Sequence, residues 1–320
     1  PSPYYGIGTD TTTKDNNSNG DVSSLIDATY GDPISSVDTQ KRAAANHTYG
    51  HGSVLPPSGA ASYGTFFAPC TTGGPRYNSA NFGSAHALSI ASLTTTATNA
   101  WARASSSTFS ASFSLPAFSA YVNGRTFIFT RSGGSPIWYD HSTDAYVTGT
   151  GTGFTNLNTA DDPDCGALVY IPERSLLVML TRKSSVVNVQ WMDVSVSQPT
   201  LGGTATLSAS LGVGSSGTIG TWANQAFWCA DTSRIIVGKI VVSGSIDTAA
   251  VYEIQVPATL SNTWTVTRQA FVSGTLPWPV DGSNWQRMAY LPAAKCALVM
   301  FNAHDTGTND TIYAFRPHNT

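Results

Sequence analysis

From about residue 48 onward the chain alternates short runs rich in Val, Ile, Tyr and Trp with turns built from Gly, Ser, Asn and Pro. No stretch sustains the 3.6-residue apolar period of an amphipathic helix, so the pattern predicts strands throughout. Several runs, such as LLVML ending at Leu180 and IIVG ending at Gly238, are continuously apolar rather than alternating. A strand reads that way when it is covered on both faces. The expected fold class is all-β.

The strands recur in phrases. Tyr121-VNGR-TFIFT, Tyr170-IPERS-LLVML, Trp228-CADTSR-IIVG and Tyr290-LPAAKC-ALVMF each join an aromatic, a turn and an apolar run, at spacings of 49, 58 and 62 residues. Between 17 and 24 residues after each aromatic comes a further short run, centred on Trp138, Gln190, Tyr252 and Tyr313. A fourth run follows in several repeats and is clearest around Trp264. Residues 86–104 echo residues 250–268 and pair Trp101 with Trp264, while Ser53-Val-Leu and Tyr63-Gly-Thr-Phe-Phe supply two earlier strands. The count is five units of four strands, near 48–108, 116–150, 165–210, 222–272 and 285–316. A four-stranded unit at this period predicts a β-propeller of five four-stranded antiparallel blades over residues 46–320. A four-bladed ring closed by the strand around Trp101 and an irregular β-sandwich are the rival architectures.

Residues 1–45 break the pattern. They are poor in apolar residues and rich in Asn, Ser, Thr, Asp and Gly, and read as an extended N-terminal assembly arm. Its one β-like run, Val22-Ser-Ser-Leu-Ile-Asp-Ala, is the candidate to complete the last unit, which ends at Arg316-Pro317 too early for a fourth strand. Nothing in PSPYYGIGTD has the basic and apolar regions of a signal peptide, and the four cysteines are spaced for neither zinc nor a redox pair, so synthesis in a reducing cytosol is expected.

Charge narrows the functional classes. Only 11% of residues are charged and the net charge is −3, so no basic face is expected for nucleic acid, and no apolar run reaches the length of a membrane helix. The whole chain holds two glutamates: Glu173 in a predicted turn and Glu253 on a predicted third strand. Glycoside hydrolysis needs two carboxylates converging on substrate, and the inner runs offer Tyr, Trp, Ala and Leu instead. His47-TYG-His51 lacks the glutamate of a zinc protease helix, and no nucleophile elbow or dinucleotide loop is present. The reading is therefore no enzyme and no cofactor. Asp15–Asp21 and Asp305–Asp310 have the oxygen-rich residue types of calcium loops, and are taken as polar turns.

Second strands ending in Arg131, Arg182 and Lys239 would place three cations on one face, beside the loop from Trp278 to Trp285. Basic donors with aromatic platforms suit the stacking of sugar rings, so these five residues are the surface-binding candidates.

Strands rich in Ser, Thr, Gly and Asn, scarce Lys and Glu, unspaced cysteines and an extended arm together resemble bacteriophage virion proteins of the tail, nozzle or fibre type. The repeats also resemble kelch-like propellers, though without the Gly-Gly doublets of that family. The virion resemblance implies a building block made in the host cytoplasm and assembled into the virion. It would form a homo-oligomer in a symmetric particle, contact other virion proteins, and take a host surface glycan as a further partner. Tyr4, Tyr5, Ile7, Leu25 and Ile26 would be the docking residues of the arm. A free carbohydrate-binding propeller and a glycoside hydrolase using aspartates are the alternatives.

Overall fold

The computed structural model describes residues 53–56, 65–68, 86–89, 101–103, 117–130, 134–155, 166–213, 225–278, 287–301 and 311–317. The expected arm residues Tyr4, Tyr5, Ile7, Leu25 and Ile26, the site candidates Arg131 and Trp285, and both oxygen-rich loops lie outside them. Two compact units divide the chain: Pro1–Ser132 with Ile137–Thr148, and Gly133–Pro136 with Gly149–Thr320.

The first unit holds two four-stranded antiparallel sheets in simple chain order. One comprises β1 (Ser53–Leu55), β2 (Thr65–Ala68), β3 (His86–Ser89) and β4 (Trp101–Arg103). The other comprises β5 (Ala117–Val122), β6 (Arg125–Thr130), β7 (Ile137–Asp140) and β8 (Ala145–Thr148). Their first strands, β1 and β5, lie against each other.

In the second unit a third four-stranded sheet runs β9 (Gly166–Ile171), β10 (Leu176–Lys183), β11 (Val186–Asp193) and β12 (Leu201–Thr204). A fourth is built from β13 (Ala226–Cys229), β14 (Arg234–Val237), β17 (Ala250–Gln255) and β18 (Thr265–Ala270). A small ribbon, β15 (Val241–Val242) with β16 (Ser245–Ile246), is inserted between β14 and β17. The last sheet has three strands, β19 (Arg287–Leu291), β20 (Cys296–Phe301) and β21 (Thr311–Phe315). Again first strands adjoin: β9 lies against β13, and β13 against β19. Successive antiparallel meanders with neighbouring innermost strands are the arrangement of a β-propeller. Among the described residues the complete blades number four rather than five, because the unit at 285–316 has no fourth strand after β21. β4, which begins at Trp101, pairs with β3 in its own sheet.

The repeat that marks the sequence has a single structural meaning. Tyr121 pairs with Thr126, Tyr170 with Leu177, Trp228 with Ile235 and Tyr290 with Ala297, so each aromatic closes a first strand opposite the opening of a second. Two of the intervening turns are the same. Pro172–Arg174 and Pro292–Ala294 each form one 3-10 turn, ended by a left-handed residue, Ser175 at φ 48° and Lys295 at φ 48°. Proline suits the first helical position because its missing N–H is not needed there. The β5–β6 turn instead uses Asn123 and Gly124, both at positive φ, the conformation of a tight hairpin.

β10 shows why its run is unbroken: Leu176 to Arg182 are all buried. Leu176, Val178 and Leu180 join Val187, Val189, Ile235, Val237, Ile254 and Trp264 in the layer between the third and fourth blades. On the other side of the fourth blade, Phe227, Ile236 and Val251 meet Met288, Ala297 and Val299 of the three-stranded sheet.

Candidate functional site

The end of a blade at which its second strand finishes is the place to look, because the sequence puts cations there. β10 pairs along its length until Thr181 stands opposite Gly166 on β9 and Arg182 opposite Val187 on β11. In the next blade Val237 pairs with Ala226, and the Gly238 amide donates to the Gln225 carbonyl at 2.8 Å. Lys239 follows at φ 52°, outside the ladder. Counted from the paired aromatics, it stands one residue short of the position that Arg182 occupies.

A strand-like segment, Leu211–Val213, stitches these two strand ends together. The Val187 amide donates to the Leu211 carbonyl, the Val213 amide to the Ser185 carbonyl, and the Val241 amide to the Gly212 carbonyl, each at 2.8 Å. Gly212 has no room for a side chain, since a Cβ there would lie 2.6 Å from the Val241 carbonyl oxygen.

The spacing of the sequence puts Arg182 and Lys239 on an exposed rim, and the structure corrects this: each is 1% exposed. Register explains the burial of Arg182. It shares the face of Leu180 and Val187, the face turned into the layer that Leu211, Val213 and Ile240 also fill. Among the described residues, none of its three guanidinium nitrogens has a hydrogen-bond partner. Gln225, fully buried beside Gly238, is a polar residue that sequence reasoning misses. Its one signal is the position of a glutamine immediately before an apolar first strand.

Trp278 is corrected too. Only 3% exposed, it is no surface platform. Its indole edge lies over Gly238 together with the Met288 sulfur, filling the space a side chain would take.

Elsewhere the described polar groups serve local structure. In the second blade, Thr126 Oγ1 and His141 Nε2 are 2.8 Å apart, and the His141 ring lies edge-on to Tyr121 and Tyr139. Burial pulls the His141 pKa below its ordinary value, against the opposing pull of Asp140 and Asp144. Tyr139 donates to Asp144. Asp140 and Asp193 end equivalent third strands, and each accepts from the amide and hydroxyl of the serine two residues on. Glu173 is exposed on its 3-10 turn, whereas Glu253 is buried on β17 and accepts from Gln269 at 3.2 Å. Among the described residues no group of three or more His, Cys, Asp or Glu is placed to hold a metal ion.

Comparison with known proteins adds little to this geometry. No protein-family model matches the chain. No curated protein matches it either. Solved structures similar in outline include TolB from Acinetobacter baumannii, 13% identical, covering 74% of this chain and 47% of that one at a TM-score of 0.41. This chain therefore spans about half the length of the TolB chain. An endo-arabinase from Bacteroides thetaiotaomicron VPI-5482 is 10% identical over 84% of this chain and 94% of its own, at a TM-score of 0.38. The dihydro-heme d1 dehydrogenase NirN in complex with DHE is 11% identical over 61% and 32%, at 0.29. Likeness at this level carries no activity or ligand over to this chain.

Proposed function

We propose that the chain is a non-enzymatic building block of a bacteriophage particle, associated with its tail or fibre, which works by strand-mediated assembly with other virion proteins and further copies of itself. The observation that supports this reading is the edge of the last sheet. β21 has no strand on its outer side among the described residues, and Ile312 on it is 58% exposed. An unpaired strand edge with an apolar side chain is a template for strand addition. The run Val22–Ala28, with Leu25 and Ile26, is the proposed incoming strand, from the same chain or a neighbour. It would make the three-stranded sheet a fifth complete blade.

Light scattering on the full chain tests the assembly, and mass spectrometry of purified virus particles tests the setting. A defined oligomer that dissociates in Ile312→Asp and in the Leu25→Asp/Ile26→Asp double variant is the expected result. A full chain that stays monomeric at every concentration, and is missing from purified particles, would overturn the proposal. Glycan adhesion has lost Trp278 as an aromatic platform and finds no specific support in the described residues.

A further inference from the structure

A second property is independent of assembly and starts from Arg182. A buried charge persists in a native fold when an opposite charge and hydrogen-bond acceptors meet it. Arg182 is buried, and among the described residues neither its Nε nor its two Nη atoms meet an acceptor. The neighbouring strand end carries a second buried cation, Lys239; the backbone of Leu211–Val213 bonds both to Val187, the residue opposite Arg182, and to Val241, two residues after Lys239.

We propose that this junction of the third and fourth blades is an oxyanion site, with Arg182 as the bidentate anchor and Lys239 as a second positive charge. The ligand class is a small oxyanion such as phosphate, sulfate or a free carboxylate. A planar guanidinium fork matches two oxygens of one such group, which a lone ammonium does not. The β10–β11 turn next to Arg182, with Lys183, Ser184 and Ser185 exposed, is the route of entry this proposal requires.

The test is thermal unfolding of the full chain across a concentration series of inorganic phosphate, against sodium chloride at matched ionic strength. Phosphate also stabilises proteins generally by exclusion from their surface, so the decisive measurement is the same series on Arg182→Met. A site that binds only the native state raises Tm with the logarithm of ligand concentration. The expected result is a rise of roughly 3–6 °C over a hundredfold increase above Kd in the unaltered chain. Arg182→Met loses that rise and Lys239→Gln reduces it. Equal phosphate dependence in the unaltered chain and Arg182→Met would overturn the site. Should Arg182→Met not fold, equilibrium dialysis of labelled phosphate on the unaltered chain decides. One saturable site competed by sulfate supports the proposal, and no binding at millimolar phosphate removes it.

Discussion

The fourth blade faces two neighbours and packs against them by different chemistry. Towards the third blade its layer is largely aliphatic, with Val178, Leu180, Ile235, Val237 and Ile254 in one cluster with the fully buried Trp264. Polar bonds reinforce that layer at both ends. At one end Arg174 donates to the carbonyls of Pro257 at 2.7 Å and Ala258 at 2.9 Å, just beyond β17, while Leu211–Val213 links the opposite end. Towards the three-stranded sheet, rings pack along an aliphatic centre of Ile236, Val251, Ala297 and Val299. Phe227 and Tyr290 stack with planes 2° apart and centroids at 5.8 Å, and Phe271 meets Phe315 edge-on at 5.5 Å. Rings bury more area per side chain than branched aliphatics, so a narrower sheet can still fill its side of a layer. One blade thus carries an interlocked face and a stacked face.

Removing the largest fully buried side chain of the interlocked face should have the largest effect. Trp264 bridges the chain from Thr206 to Ser208 through paired backbone bonds, and its indole N–H donates to the Leu260 carbonyl at 3.0 Å. Trp264→Ala leaves a large void and an unmet carbonyl, with an expected loss of about 3–5 kcal/mol in equilibrium urea unfolding. A loss below about 1 kcal/mol would mean that the layer collapses around the gap and is not interlocked. On the stacked face the matching probe adds an atom. A Cβ at Gly238 would stand 2.5 Å from Trp278 and 2.7 Å from the Met288 sulfur. Gly238→Ala should cost about 1–3 kcal/mol by overpacking, with a changed near-ultraviolet tryptophan signal as the local readout.

These two faces also separate what is legible in the sequence from what is not. Strand boundaries are legible because Tyr121, Tyr170, Trp228 and Tyr290 each mark the close of a first strand, and continuous runs such as LLVML identify strands covered on both sides. Blade completeness is less legible, since the residues after β21 do not say where a fourth strand comes from. Side-chain destination at strand ends is not legible at all. Arg182 and Lys239 look like rim charges by spacing, yet both are buried where the segment Leu211–Val213 bonds across the two strand ends. Trp278 looks like a loop platform because nothing local announces that Gly238, far earlier in the chain, leaves a slot for it.

A smaller effect belongs to the polar link across the stacked face. The Tyr290 hydroxyl donates to Asp231 at 2.5 Å, and desolvation followed by that carboxylate pushes its pKa well above the ordinary phenol value. Tyr290→Phe keeps the stack on Phe227 and removes only the hydrogen bond. The expected cost is about 0.5–1.5 kcal/mol, read by urea unfolding. In an absorbance titration the Tyr290→Phe variant should lose one late-titrating phenol. A cost as large as that of Gly238→Ala would show that the polar link, rather than ring packing, holds this face.

The smallest expected effect lies on the interlocked side and depends on pH. Arg268 donates to Asp247 through Nε at 2.6 Å and Nη2 at 3.0 Å, and the Tyr252 hydroxyl adds a third bond at 2.9 Å. The Arg268 bond, followed by those from Tyr252 and the Ala249 amide, holds the Asp247 pKa below its ordinary value despite partial desolvation. A carboxyl with a lowered folded pKa contributes stability above its unfolded pKa, near 3.8, and that contribution disappears as pH falls through the folded value. Arg268 is half exposed, so solvent screening keeps the contribution modest. Asp247→Asn should therefore lower Tm slightly at neutral pH, and the gap from the unaltered chain should close as pH drops below about 4. Raising salt at neutral pH should narrow the same gap. A gap that persists unchanged in acid would assign the role of Asp247 to its bonds with Tyr252 and Ala249 as a neutral acceptor, and remove charge from the account of this face.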